Sequence, residues 1–163
     1  AAQLEEIIYE GYGPGGTAIL VEVATDNKHR TYPEVRHAFS KNGGNIAEPG
    51  SVAFQFARKG VVTVDRTAGD PDEMLLTILE AGADDAVVED DDVIVYTDAK
   101  DLHAVRKNLS DAGLTIKDAE LNFVATSTVP VGDNEIEEKL FKLLSALDDL
   151  DDVTNVYNNA DIA

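Results

Sequence analysis

The sequence predicts an α+β fold of two ferredoxin-like (split βαβ) α/β sandwich domains, the second inserted in the first. Three observations carry this expectation. Short β-branched runs alternate with amphipathic helical stretches in the order β-α-β-β, then α-β-β-α-β, then α-β. Lifting out the middle leaves residues 1–66 plus 127–163 in the β-α-β-β-α-β order of a split βαβ unit. The excised stretch, 67–126, repeats that pattern without its first strand. Two sandwiches in tandem are the alternative, and no Ser/Pro-rich linker marks the boundary.

Each element has a local reason. Thr17 to Thr25 (TAILVEVAT) is β-branched and apolar, follows a Gly/Pro-rich stretch and reads as a buried strand. Thr31 and Glu34 have capping-box spacing with Pro33 in the first turn, so a helix is expected from Thr31 to the Asn42-Gly43-Gly44 stop. Ser51 to Ala57 alternates Val52, Phe54 and Phe56 with smaller or polar residues, and Val61 to Val64 returns after Arg58, Lys59 and Gly60. That spacing predicts a β-hairpin with a basic tip. Asp70, Pro71 and Glu73 open a second helix that Gly82 closes. Ala86 to Glu89 and Val93 to Thr97 read as strands joined through Asp90 to Asp92. Asp98 and Asp101 cap a helix carrying Leu102, Val105 and Leu109, which Gly113 ends. Leu121 to Thr126 is a further strand. Asp133 caps a last helix with Ile136, Leu140, Leu143, Leu144 and Leu147 on one face, before a strand at Val153 to Tyr157.

Charge is the most unusual property. The 163 residues hold 13 Lys+Arg against 32 Asp+Glu, a net −19, so the chain as a whole should be repelled by bulk nucleic acid. Along the sequence the charge is uneven: residues 1–66 have 7 basic and 8 acidic side chains, and the acids concentrate after them. No apolar run reaches the roughly 20 residues of a membrane helix, and no signal peptide is expected. There is no Cys, hence no disulfide, thiolate nucleophile or thiolate metal site, in keeping with a cytoplasmic protein.

Catalytic constellations do not assemble. Ser40, Ser51, His29, His37 and His103 fall in no G-x-S-x-G or H-E-x-x-H motif, so no enzyme is expected. The acidic runs Glu89–Asp92 and Asp148–Asp152 lack the spacing of a calcium loop, and no metal or other cofactor is predicted. Gly11, Gly13 and Gly16 satisfy G-x-G-x-x-G, but a strand follows and no strong strand precedes, which argues against a dinucleotide site. A tight loop remains, with Tyr9, Tyr12, Gly13, Gly15 and Gly16 as a surface that a partner contacts. The best signal is cationic. On the helix after Thr31 the 100° step puts Val35, Ala38 and Phe39 on one side and Arg36, His37, Ser40 and Lys41 nearly opposite. Lys28, His29 and Arg30 lie just before it, and Arg58 and Lys59 occupy the hairpin tip. The candidate nucleic-acid contacts are therefore Lys28, Arg30, Arg36, His37, Lys41, Arg58 and Lys59.

The segments LEEIIYEGYGPGGTAILVEVATDNKHRT (4–31) and EVRHAFSKNGGNIAEPGSVAFQFARKGVV (34–62) closely resemble the YebC/PmpR family of transcriptional regulators, which is related to mitochondrial translational activators. LEAGADD (79–85) and VYNNADI (156–162) extend the likeness to the end of the chain. The resemblance implies a cytoplasmic regulator built from an N-terminal helical domain and two α+β domains, of which this sequence corresponds to the second and third. It implies DNA as partner for some members and the ribosome or ribosomal RNA for others, with the helical domain supplying much of the nucleic-acid contact. The expected function is non-enzymatic regulation of gene expression through DNA binding. A ribosome-associated translation factor and an acidic protein-interaction module are the alternatives.

Overall fold

The computed structural model describes residues 3–66 and 70–162, and the chain divides into two compact units, residues 1–57 with 124–163 and residues 58–123. In the first unit, strand β1 (Glu5–Tyr12) and strand β2 (Ala18–Thr25) form an antiparallel hairpin, paired from Glu5↔Thr25 to Tyr12↔Ala18. Helix α1 (Lys28–Lys41) and the short strand β3 (Asn45–Ala47) follow. A one-turn 3-10 helix at Ala53–Gln55 precedes strand β4 (Phe56–Asp65), which leads into the second unit.

That unit runs β4, helix α2 (Pro71–Glu80), strands β5 (Asp85–Glu89) and β6 (Asp92–Asp98), helix α3 (Leu102–Asp111) and strand β7 (Ile116–Ala125). The chain then completes the first unit with β8 (Val129–Val131), α4 (Asn134–Asp148), β9 (Val153–Asn158) and β10 (Ala160–Ile162).

The first unit's sheet has the order β3-β1-β2-β9, with all three pairings antiparallel. Alternation along β2 sends Ile19, Val21 and Val23 to one face, where Val35 and Phe39 of α1 and Leu140, Leu143 and Leu147 of α4 close the core. On the opposite face, Glu10 is 7% exposed. Its carboxylate accepts from the backbone N–H groups of Gly50 (2.6 Å), Val52 (3.0 Å) and Ala53 (2.8 Å). Asn159 is equally enclosed: it accepts from Ala18 N–H at 2.7 Å and donates to Gln55 Oε1 and the Ser127 carbonyl. Short β8 and β10 pair in parallel beside it. The second unit's sheet has the order β5-β6-β4-β7, and α2 and α3 pack Met74, Ile78, Val105 and Leu109 onto Val62, Val64, Val93 and Val95.

Several expectations change. The first unit begins with a β-hairpin, so its order is not the expected β-α-β-β-α-β; β1 carries Glu5, Glu6 and Glu10 among its apolar residues, which hid it. The expected hairpin with Arg58 and Lys59 at its tip does not form. Residues 56–65 are one strand, and the turn expected at Gly60 is a close approach instead: a Cβ there would stand 2.8 Å from Thr97 Cγ2 and 2.9 Å from Leu102 Cβ. The strand expected over Ser51 to Ala57 is a 3-10 turn at Ala53–Gln55, where Val52 and Ala53 N–H groups turn towards Glu10, and Phe54 is 75% exposed. β4 pairs with β6, which places residues 58–66 in the second unit and supplies the first strand that 67–126 lacked. The expected junction at 66/67 borders residues 67–69, which lie outside the described residues.

The two acidic runs occupy the β5–β6 turn, where Asp90 has φ 51°, and the end of α4 with the loop that follows. Folding also redistributes the charge. Residues 1–57 share their unit with the acidic stretch 124–163, and Arg58, Lys59 and Arg66 fall in the other, giving 16 acidic and 6 basic residues in the first unit and 16 against 7 in the second.

Candidate nucleic-acid interface

Helix α1 starts one turn earlier than its sequence suggests. Asn27 is the N-cap, its carbonyl accepting from Arg30 N–H (3.1 Å) and Thr31 N–H (3.2 Å). Thr31, expected to cap, is buried in the helix, with its hydroxyl 2.7 Å from both Asp152 Oδ2 and Thr25 Oγ1. A carboxylate 121 residues away claims the side chain that local spacing assigned to the cap. Pro33 then falls in the second turn, where it forgoes one backbone bond.

Lys28, His29 and Arg30 thus form the first helical turn, where cations oppose the helix dipole. Carboxylates offset this: Arg30 meets Asp152 at 3.0 Å and Asp26 at 3.3 Å, and Lys28 lies 3.9 Å from Glu5. The hydroxyl of Thr31, the Arg30 guanidinium and Thr25 together hold the Asp152 carboxyl below its ordinary pKa. A depressed carboxylate stabilises the fold above its unfolded pKa near 3.9 and loses that contribution as pH falls through the lower folded value. Asp152→Asn should therefore melt a few degrees below wild type at pH 7, with the gap closing below about pH 4. Melting curves from pH 3 to 7 check this, and an unchanged gap at pH 3 would refute it.

Along the rest of α1, Val35, Ala38 and Phe39 are buried while Arg36, His37 and Lys41 are exposed, as the helical step requires. Arg36 and Lys41 have no ion-pair partner among the described residues. Arg58 and Lys59, in the second unit, are both engaged. Lys59 is held by Asp84 (3.2 Å) and Asp98 (3.7 Å), and the Arg58 guanidinium sits 5.0 Å from the centre of the Phe123 ring. The fold thus gathers Lys28, Arg30, Arg36, His37 and Lys41 on one helix and places Arg58 and Lys59 on a strand of the other unit.

The glycine-rich segment is the β1–β2 turn. Gly13 N–H donates to Thr17 O at 2.8 Å, and a Cβ on Gly13 would meet Ile19 Cδ1 at 2.7 Å. Gly15 (φ 79°) and Gly16 (φ 76°) form the exposed tip in a left-handed conformation that favours glycine. Strands on both sides, rather than a strand and a helix, explain why G-x-G-x-x-G has no dinucleotide geometry here. Tyr9 and Tyr12 have opposite parity on β1 and stand on opposite faces, so they do not frame one loop.

Between α1 and the β1–β3 edge runs a groove of about 690 Å³, lined by Tyr9, Tyr32, Arg36, Ser40, Asn45 and Ile46 among others. The Tyr9 and Tyr32 rings are 5.7 Å apart and tilted by 56°. Burial, with the charge of Glu5 and the neighbouring Tyr32, pushes the Tyr9 phenol above its ordinary pKa and keeps it neutral. Tyr32 and Asn45 were not anticipated as site residues, although Lys28, Tyr32, Arg36 and Ser40 recur every fourth residue and announce a stripe. Also unanticipated is a groove of about 640 Å³ in the second unit, where Lys100, His103 and Arg106 converge beside β7.

The family model for the TACO1/YebC second and third domain matches residues 4–160. A probable transcriptional regulatory protein of Chloroflexus aurantiacus is 49% identical over 99% of this chain, which spans 64% of that relative. One from Moorella thermoacetica is also 49% identical over 99% of the chain, which spans 65% of it. The crystal structure of a conserved hypothetical protein from Aquifex aeolicus superposes with a TM-score of 0.93 at 42% identity, covering all of this chain and 67% of that one. Matched along nearly its whole length in sequence and in three dimensions, this chain belongs to the TACO1/YebC family and carries the family's second and third domains.

Proposed function

We propose that the chain is the two-domain α+β part of a non-enzymatic regulator of gene expression that acts on nucleic acid in the cytoplasm, with DNA as target in keeping with the names of its relatives. The observation that carries this reading is the outer face of α1, where Arg36, His37 and Lys41 stand exposed and, among the described residues, Arg36 and Lys41 have no carboxylate partner in a chain of net −19. Leaving cations unpaired amid so many acids is what a phosphate-contacting surface requires. Lys28 and Arg30 extend that face, while Arg58 and Lys59 give the second unit a smaller contact. Residues 58–123 form the inserted domain, whose β5-β6-β4-β7 order is that of a ferredoxin-like sandwich.

Arg36→Ala with Lys41→Ala should weaken nucleic-acid binding and reduce its salt dependence by about two slope units, while stability changes by no more than about 0.5 kcal/mol per site. Titrations of the full-length protein against salt, with melting curves, check both halves. A stable double variant that binds like wild type would overturn the reading in favour of an acidic protein-interaction module.

A ribosome-directed translation factor is the second reading, and the β1–β2 tip favours it: at Gly16 nothing lies within 4 Å of where a Cβ would be, so backbone there is open to close approach by RNA. Loss of ribosome co-sedimentation in the double variant, with DNA binding intact, would select it.

A further inference from the structure

Resting on the nucleic-acid reading of α1, we infer that the groove beside this helix is a stacking site for unpaired bases, so that its ligand is single-stranded nucleic acid. Lys28, Tyr32, Arg36 and Ser40 follow one another at four-residue intervals, about 6 Å of rise each, and all four are exposed. A cation therefore stands one turn to either side of an exposed ring. Tyr32 separates two hollows: the groove running past Arg36 and Ser40, and a smaller one of about 440 Å³ bordered by Lys28, His29 and Pro33. The Tyr9 ring, half-buried in β1, packs against Tyr32 at 5.7 Å with the two planes tilted by 56°.

Aromatic platforms of this kind hold bases by their faces, and cations at the edges take the phosphates. The far wall adds Asn45 and Glu48, whose polar groups suit base edges. Glu10, which also borders the groove, spends its carboxylate on backbone N–H groups. Duplex bases keep their faces stacked on one another and cannot use such a ring, which sets this site apart from groove-reading contacts to DNA.

The test is fluorescence anisotropy with the 163-residue chain at low salt, using a labelled eight-nucleotide uridine-rich RNA and a duplex of equal length. Tyr32→Ala should weaken single-strand binding by roughly 5- to 100-fold. Tyr32→Phe, which keeps the ring, should bind like wild type, and both variants should melt with wild type because the side chain is exposed. The duplex should bind more weakly and ignore Tyr32→Ala. Single-strand binding indifferent to Tyr32→Ala but lost in the Arg36→Ala, Lys41→Ala double variant would overturn the stacking site and leave the cationic face standing. Binding indifferent to all three substitutions would remove both. An extended Ser/Val decapeptide that displaces the RNA as well as unlabelled RNA does would make the groove a peptide site, and undetectable RNA binding would also overturn the inference.

Discussion

Glu10→Ala is expected to destabilise the first unit by about 3–5 kcal/mol, lowering its melting temperature by roughly 10 °C or more. The carboxylate is 7% exposed and is the acceptor for three backbone N–H groups of the 50–53 segment. Removing it leaves the buried Val52 N–H and the part-buried Gly50 and Ala53 N–H groups without their acceptor, and a buried donor so stranded costs far more than the net worth of a surface hydrogen bond. Burial raises the pKa of this carboxyl, but the bonds from Gly50, Val52 and Ala53 outweigh that and hold it below its ordinary value. Glu10→Gln, which keeps one acceptor oxygen, should lose less. Urea unfolding of the three proteins is the measurement, and a Glu10→Ala variant within 1 kcal/mol of wild type would refute the account.

Phe39→Ala should have a comparable effect, about 3–5 kcal/mol, from lost burial and the cavity left behind. Phe39 is fully buried at the centre of the first core, and two glycines shape its seat. A Cβ on Gly11 would come within 2.5 Å of Phe39 Cε1 and 2.8 Å of Asn45 O, and one on Gly44 within 2.5 Å of Tyr12 O. The ring is thus gripped by backbone that cannot move inward to fill the void. A midpoint shift below 1 kcal/mol in the same urea experiment would show that the core collapses around the deletion.

Helices were legible wherever caps and periodicity agreed. Asp70 and Asp133 accept first-turn N–H groups, and Gly82 and Gly113 follow α2 and α3 with positive φ. Legibility failed where a distant partner took over a local signal. Thr31 gave up its cap to Asp152, and residues 51–55 gave up their alternation to Glu10. Short strands such as β3, β8 and β10 have only three residues each and leave no periodic trace. At the site, the cationic face of α1 could be read because helical angle alone determines it. The groove could not: its far wall at Asn45–Pro49 is set by the pairing of Gly11 with Ile46 across the sheet.

The discontinuity of the first unit also dictates an order of assembly. β2 finds its outer neighbour in β9, and Ala18 waits for an Asn159 side chain 141 residues later, so nothing made before residues 153–159 completes that sheet. Residues 58–123 form a compact unit with its own core and can fold while the rest is still being synthesised. Once they do, the stacking of Arg58 on Phe123 ties the two ends of the insertion together, and the long excursion shrinks to a short tether. Loop-closure entropy for docking α4 and β9 then falls towards that of a much shorter chain. On this route the early-folding domain acts as a clip for the late one, and an emerging chain would expose the apolar faces of β2 and α1 until α4 and β9 have followed.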